Sequence, residues 1–172
     1  MMLVDIAKIK TRPGTWLDFS FTDKLDAAAC GYDDFRIVGD VVAEGRITSL
    51  DDGSFTADLR YTANVEQCCS RCGKRFCQPA AGMLQARFST SPQEDADGEE
   101  ECHLILHEQA DLAPVILQEI GFRLPMQPLC RQDCRGLCPT CGADLNEGCC
   151  SCTSEQIDPR WEKLKNLSFD DD

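Results

Sequence analysis

Apolar and polar side chains alternate most regularly between Phe55 and Glu66, where every second residue is apolar. A period of two is typical of a β-strand with one buried and one solvated face. The turn-forming triplet Asp51-Asp52-Gly53 precedes this stretch, and a run rich in β-branched residues precedes the turn. The pattern therefore predicts a β-hairpin whose second strand leads directly into a pair of cysteines.

Three shorter stretches predict further strands. Leu3–Ile9 precedes a break at Pro13-Gly14, residues 83–89 follow the cysteine pair, and residues 101–107 follow a run of acidic residues. We expect these strands and the hairpin to form one mostly antiparallel sheet.

Two short helices are also predicted. Asp111 is placed to cap the first helix and Pro125 to end it, and Pro114 is tolerated in its first turn. Asp158-Pro159 gives the second helix an N-cap followed by proline at the first helical position. The first helix has an apolar side of Leu112, Val115, Ile116, Ile120 and Leu124, and the second has a stripe of Trp161, Leu164 and Leu167.

Eight of the 13 cysteines occur at spacings typical of metal ligands. A Cys-x-x-Cys-Gly turn suits a tetrahedral ion, because its amides point at sulfur and its glycine accepts a positive φ. The chain has two such turns, and its second cysteine-rich run has almost no apolar residues with which to form a core. The expected ligands of two Zn²⁺ ions are Cys69, Cys72, Cys130, Cys134, Cys138, Cys141, Cys150 and Cys152.

A disulfide scaffold is the competing interpretation of so many cysteines. The N-terminal segment carries Asp5 and Lys8 where a secretory signal needs an unbroken apolar core, and no run is long enough to span a bilayer. We therefore expect a cytoplasmic protein, in which disulfides do not persist and thiolates bind metal. Buried or reactive thiols remain the alternative for the Cys-x-x-Cys pairs.

The spacing favours one division of the eight thiols. Cys69 and Cys72 would share one zinc with Cys130 and Cys134, and the remaining four would form a self-contained second site. Pairing the two Cys-x-x-Cys-Gly turns in one zinc ribbon is the competing scheme. The doublets Cys68-Cys69 and Cys149-Cys150 also leave open which member of each is the ligand.

These features together predict an α+β fold: a mostly antiparallel β-sheet body with two short helices and a C-terminal zinc-knuckle region. We place the body at residues 1–128 and the cysteine-rich region with its helix at residues 129–172. Acidic runs at 94–101 and 170–172 account for most of the net charge of −13 and are typical of solvated segments. Five cationic residues would surround the first site, either to offset its thiolate charge or to contact RNA. They are Arg71, Lys74, Arg75, Arg131 and Arg135.

Four segments of the chain carry a resemblance to a known family: C-S-R-C, D-L-A-P-V-I-L-Q-E-I-G-F-R-L-P-M-Q-P-L-C, C-R-G-L-C-P-T-C-G-A-D-L-N-E-G-C-C-S-C and D-P-R-W-E-K-L-K-N-L. In these segments the chain resembles the YceD family. This bacterial and plastid family is tied to accumulation of large-subunit ribosomal RNA. The resemblance runs from Val65 to Leu167, and Gly73 stands where the family usually has a bulky apolar residue.

The resemblance implies a non-catalytic factor for large ribosomal subunit biogenesis. It also implies that the partner is the assembling subunit or one of its zinc-binding proteins, with possible contact to ribosomal RNA. The chain lacks a phosphate-binding Gly-rich loop, a Gly-x-Ser-x-Gly elbow and a His-Glu-x-x-His helix, in line with that expectation. The alternatives are a rubredoxin-like iron or redox protein and a zinc-responsive partner of a ribosomal zinc protein.

Overall fold

The fold is that of a computed structural model, which describes residues 2–91 and 102–152. Its main element is a six-stranded sheet in the order β2-β4-β5-β6-β7, with β3 pairing with β5 beside β4. The strands are β1 (Leu3–Asp5), β2 (Trp16–Asp23), β3 (Arg36–Ile37), β4 (Val41–Ser49), β5 (Phe55–Cys68), β6 (Arg75–Ser89), β7 (Cys102–Leu104) and β8 (Gln109–Asp111). A 3₁₀ turn spans Ala28–Cys30, and the helix α1 spans Ala113–Arg123.

The predicted hairpin is present as β4 and β5. The two strands pair antiparallel from Val42 opposite Thr62 to Ser49 opposite Phe55, and Gly53 has a φ of 79° in the turn between them. Burial alternates strictly along β5 from Phe55 to Gln67, so one face of this strand lies on the core. The alternation of apolar and polar residues thus predicted both the strand and which of its two faces packs on the core.

β6 is twice as long as the predicted strand at 83–89. Its first half, from Arg75 to Gly82, pairs with the end of β5 that leads to the first cysteine pair. This half contains Pro79 and the small residues Ala80, Ala81 and Gly82, which give no strand signal by themselves. The long partner strand β5 imposes the extended conformation here, and it therefore overrides the local preference.

The N-terminal prediction was wrong beyond Asp5. β1 covers only Leu3–Asp5 and pairs with β8, outside the main sheet. The chain then turns, because the Asp5 carboxylate accepts a hydrogen bond from the Ala7 N–H at 2.9 Å and the Ile9 N–H donates to the Ile6 carbonyl at 3.0 Å. An aspartate side chain that captures a nearby amide competes with the strand ladder in this way.

The predicted strand at 101–107 was too long, and its pairing is parallel. β7 ends at Leu104 and lies parallel to the end of β6, with His103 opposite Phe88. His107 and Glu108 have φ values of 53° and 61°, which reverse the chain into β8. A sequence pattern of alternating residues does not report the direction of pairing, so the parallel ladder was not predictable from it.

α1 confirms the first predicted helix, but its N-cap is Leu112, which makes no side-chain cap hydrogen bond, and not Asp111. The Asp111 carboxylate accepts a hydrogen bond from the Ala113 N–H at 3.0 Å, and Leu124 adopts an extended conformation before Pro125. Its buried residues complete a single core with the inner face of the sheet and the N-terminal segment. The members buried on α1 are Val115, Ile116, Leu117 and Ile120.

Most of the fold class is therefore confirmed: a mainly antiparallel sheet with one α-helix and a lone 3₁₀ turn in the described residues, followed by a cysteine-rich C-terminal region. The second predicted helix, beginning at Asp158, and the acidic runs at 94–101 and 170–172 lie outside the described residues. The division into regions 1–128 and 129–172 stays a prediction.

Tyr61 gives a test of the core. Its ring is 1% exposed, and its hydroxyl has no hydrogen-bond partner among residues 2–91 and 102–152. Burial also raises the pKa of this hydroxyl. Because an unsatisfied buried hydroxyl costs free energy, we expect Tyr61→Phe to raise the free energy of unfolding by about 1 kcal/mol. Urea denaturation measures this change, and a clear loss of stability would contradict it.

Candidate metal centres

The first Cys-x-x-Cys turn closes the end of the β5–β6 hairpin. The Cys69 N–H donates to the Lys74 carbonyl at 2.9 Å, and the Gly73 N–H donates to the Cys69 carbonyl at 2.9 Å. Gly73 has a φ of 69°, a conformation that side chains with a Cβ rarely adopt. Glycine is therefore the residue that this turn requires.

The segment after α1 brings the second pair of cysteines to this turn. The Ser70 N–H donates to the Pro128 carbonyl at 2.8 Å, which places the following residues against the turn. Cys69 Sγ then lies 3.8 Å from Cys134 Sγ, and Cys72 Sγ lies 3.7 Å from Cys130 Sγ. All four sulfur atoms of this first tetrad (Cys69, Cys72, Cys130 and Cys134) lie within 4.8 Å of one another.

These separations fit a tetrahedral metal. Zinc–sulfur bonds of ~2.3 Å place the four sulfurs of a tetrahedral site about 3.8 Å apart. Three of the four side chains are buried, and Phe76 and Leu129 pack against them. The first tetrad therefore has the size, donor chemistry and enclosure of a site that could hold a metal ion.

The second tetrad consists of Cys138, Cys141, Cys150 and Cys152, whose sulfurs also lie within 4.8 Å of one another. Its turn repeats the hydrogen bonds of the first: the Cys138 N–H donates to the Ala143 carbonyl at 2.8 Å, and the Gly142 N–H donates to the Cys138 carbonyl at 2.9 Å. Gly142 has a φ of 74°. The two Cys-x-x-Cys-Gly turns thus lie in different tetrads, and the structure does not join them in one ribbon.

The doublets divide in the same way at both sites. Cys69 is buried and belongs to the first tetrad, whereas its neighbour Cys68 is exposed. Cys150 belongs to the second tetrad, whereas Cys149 is exposed. All eight predicted residues are therefore brought together in two groups of four, and their role as metal ligands stays a prediction.

Hydrogen bonds from backbone amides lower the pKa of one thiol in each tetrad and so favour its thiolate form, which is the form that binds metal. The Cys130 N–H holds the pKa of the Cys69 thiol down at about 6, and the Cys141 N–H does the same for Cys138, also at about 6. In contrast, one other thiol of each tetrad has a raised pKa. Burial raises the pKa of Cys130 to about 12, and the neighbouring Cys141 side chain raises the pKa of Cys152 to about 12. A bound cation would favour the thiolate form of all of them, so loading releases protons.

The predicted cationic residues near the first tetrad are largely engaged by protein groups. Lys74 Nζ pairs with Asp144 at 2.9 Å and with Glu147 at 2.7 Å, and Arg71 donates to the Cys134 carbonyl at 2.8 Å. Arg75 pairs with Glu66 and Arg131 with Asp133. The carboxylates offset the charge of Lys74, Arg75 and Arg131, whereas the carbonyl that binds Arg71 is neutral and Arg135 is exposed. The contacts of Lys74 and Arg71 also tie the two cysteine segments together.

Sequence reasoning missed Asn146. Its side-chain Nδ2 donates to Cys134 Sγ at 3.5 Å, although the residue lies among the cysteines of the second tetrad. A single asparagine in a loop carries no motif. Asn146 also lies in a turn, where its N–H donates to the Asp144 carboxylate, so the turn alone accounts for an asparagine there and the sequence gives no further signal.

The sequence also identifies relatives. The sequence model of the family described as large ribosomal RNA subunit accumulation protein YceD matches residues 57–168, which contain all eight cysteines. The chain belongs to the YceD family. The description of the YceD family implies a role in accumulation of the large ribosomal RNA.

Curated relatives of this YceD protein come from mycobacteria. An uncharacterized protein of Mycobacterium tuberculosis and one of Mycobacterium bovis are each 31% identical over 181 residues, covering 96% of the chain and 81% of the relative. An uncharacterized protein of Mycobacterium leprae is 41% identical over 59 residues, covering 33% of the chain and 26% of the relative. No solved structure matches the chain with significance. In the described residues, the helix is too short to cross a membrane.

Proposed function

We propose that the protein is a non-catalytic zinc-binding factor that supports accumulation of large-subunit ribosomal RNA in the cytoplasm. The observation that carries the metal part of this proposal is the pair of preformed cysteine tetrads. The observation that carries the biological part is membership of the YceD family. The ligands are the four thiols of the first tetrad and the four of the second, one ion in each.

We propose zinc as the metal, and elemental analysis separates it from iron, which binds four thiolates in the same tetrahedral geometry. A Zn²⁺ ion with four thiolates needs no redox chemistry and no open coordination position, and a closed tetrathiolate site is the usual form of structural zinc. The ion would join the sheet to the segment after α1 at the first tetrad and order the loop 138–152 at the second. In this role the metal stabilises a surface that a partner can recognise, and no reaction takes place at it.

The proposed partner is the assembling large ribosomal subunit or one of its zinc-binding proteins. Carboxylates pair with Lys74, Arg75 and Arg131 and offset their charge, and the net charge of −13 on the chain opposes contact with phosphate groups. A protein surface is therefore the favoured contact, and direct binding of ribosomal RNA is the second possibility that the test below addresses.

The metal assignment is tested on protein purified under reducing conditions. Elemental analysis is expected to find two zinc ions per chain and a colourless solution. A red protein with thiolate-to-iron charge-transfer bands would instead establish the rubredoxin-like alternative. Zinc that exchanges within minutes with a weak chelator would favour a metal-handling partner of another zinc protein.

The biological role is tested in a strain that lacks the protein. We expect mature large-subunit RNA to fall relative to small-subunit RNA, with a precursor large particle on sucrose gradients. Affinity purification followed by identification of bound protein and RNA then names the partner. An unchanged ratio of the two subunits in the deletion strain would overturn the proposed role, whatever the metal content.

A further inference from the structure

We infer that the two tetrads are not independent: Asn146, held in place by the loop of the second tetrad, positions Cys134 of the first, so that filling the second site strengthens metal binding at the first. This inference rests on the proposed metal sites but not on the role in ribosomal RNA accumulation.

The side chain of Asn146 is oriented by its partners. Its Oδ1 accepts hydrogen bonds from the Arg135 N–H and from the Arg131 guanidinium, both at 2.8 Å. With Oδ1 engaged by two donors, Nδ2 faces Cys134 Sγ at 3.5 Å and Asp144 Oδ1 at 2.7 Å. The amide therefore acts as a donor toward the sulfur, and the opposite orientation would lose all of these bonds.

A donor at this place matters to a metal site. A tetrathiolate site with a divalent ion carries two net negative charges, and hydrogen bonds to sulfur spread that charge and orient the ligand. The Cys134 side chain is only 1% exposed, so water can supply little of this stabilisation. Asn146 also fixes the backbone of Arg135, the residue next to Cys134, and it therefore orients the ligand through two routes.

The position of Asn146 depends on the second tetrad. Asn146 lies between Cys141 and Cys150, and the Asp144 carboxylate accepts a hydrogen bond from its N–H at 2.8 Å. The Leu145 N–H donates to the Gly136 carbonyl at 3.0 Å, which docks this loop on the connection between the tetrads. The loop has no buried apolar side chain, so the ion of the second site is what would hold it in this shape.

A second contact joins the same two units. Lys74, which follows the turn of the first tetrad, pairs with Asp144 and Glu147 in the loop of the second. Gly136 permits this close approach, because a Cβ there would lie 2.9 Å from the Arg71 carbonyl oxygen and its φ is 73°. Binding at either site thus favours the same docked loop, and the coupling is reciprocal.

The test compares four forms of the full chain: wild type, Asn146→Ala, the second-tetrad variant Cys150→Ser/Cys152→Ser, and the combination of all three substitutions. Co²⁺ is the probe, and its affinity for the first site is measured by competition with a chelator under reducing conditions. Loss of the second tetrad is expected to weaken the first site about 10- to 100-fold. In the Asn146→Ala background the same loss is expected to weaken the first site by a smaller factor, and the remainder is carried by the ion pairs of Lys74.

Two further variants test the hydrogen-bond donor of Asn146 and keep all eight thiols. Asn146→Asp retains the oxygen that accepts from Arg135 but replaces the donor by an oxygen, so the first site is expected to weaken as much as in Asn146→Ala. Asn64→Ala, at an exposed position on β5, is the control and is expected to bind as wild type does. Wild-type affinity in Asn146→Asp would overturn the inference.

A site-resolved measurement distinguishes the possible failures. With half the metal needed to fill both sites, alkylation of free cysteines and mass spectrometry are expected to find far fewer chains with one tetrad protected than independent sites of equal affinity would give. Chains with only one tetrad protected in random proportion would show independent sites and overturn the coupling alone. No protection at excess metal would instead overturn the proposed metal sites themselves.

Discussion

Removal of bound metal is expected to unfold residues 129–152 while the sheet stays folded. Within this range, only Cys134, Gly136 and Cys138 are buried, so it has no apolar core of its own. Structural zinc sites contribute apparent binding free energies of about 10–16 kcal/mol. In a segment that has no hydrophobic core, this binding free energy is what stabilises the folded state. The body keeps its core on β5, β6 and α1 without the ion.

Hydrogen exchange of the protein with and without a strong chelator measures this effect. The amides of Cys138, Gly142 and Leu145, all hydrogen-bonded within the region, are expected to lose their protection. Amides of β5 are expected to keep theirs. Added zinc should restore the first group under reducing conditions, and protection of Gly142 without metal would contradict the prediction.

Gly45→Ala is expected to be among the most destabilising single substitutions in the sheet. A Cβ at Gly45 would lie 2.2 Å from the Asp58 carbonyl oxygen and 2.7 Å from the Leu59 Cα, and both are backbone atoms of the neighbouring strand. Neither can move without separating β4 from β5. Overpacking of this kind costs about 1–3 kcal/mol, and backbone displacement places this case at the upper end.

The midpoint of urea denaturation is the appropriate measurement for this substitution. Gly148→Ala serves as the matched control, because an added Cβ there meets nothing within 4 Å and the backbone is not in the left-handed region. That variant is expected to unfold with the wild-type midpoint. Equal midpoints for the two variants would show that the strands adjust to a methyl group at Gly45.

The sequence predicted those parts of the fold in which local pattern and tertiary demand agree. The alternation from Phe55 to Glu66 and the stripe on α1 report burial directly, and the structure has both. β2 from Trp16 to Asp23 was not predicted, and the first half of β6 was missed around Pro79. The alternation of Leu17, Phe19 and Phe21 with polar residues was a local signal for β2 that was overlooked. The first half of β6 is extended because it pairs with β5, which is a non-local cause that its own residues do not encode.

The cysteines were informative for a different reason. Their spacing restricts which sulfurs can meet around one ion, so the two groups of four could be anticipated before any fold was known. The contacts around them could not. Asn146 and Lys74 act across the two tetrads, and their positions depend on how the loop at 144–147 docks, which no residue type or spacing reveals.

The distance along the chain between Cys69 and Cys134 has a consequence for the stability of the sheet. The two residues are separated by 65 positions, and β6, β7, β8 and α1 lie between them. An ion held by both closes a ring, and a permanent cross-link of that length would raise the free energy of the unfolded chain by about 4 kcal/mol at 25 °C, because it lowers the chain's entropy. While the ion stays bound, this ring disfavours complete unfolding of the elements that it encloses. Added zinc should therefore raise the urea concentration at which the sheet unfolds.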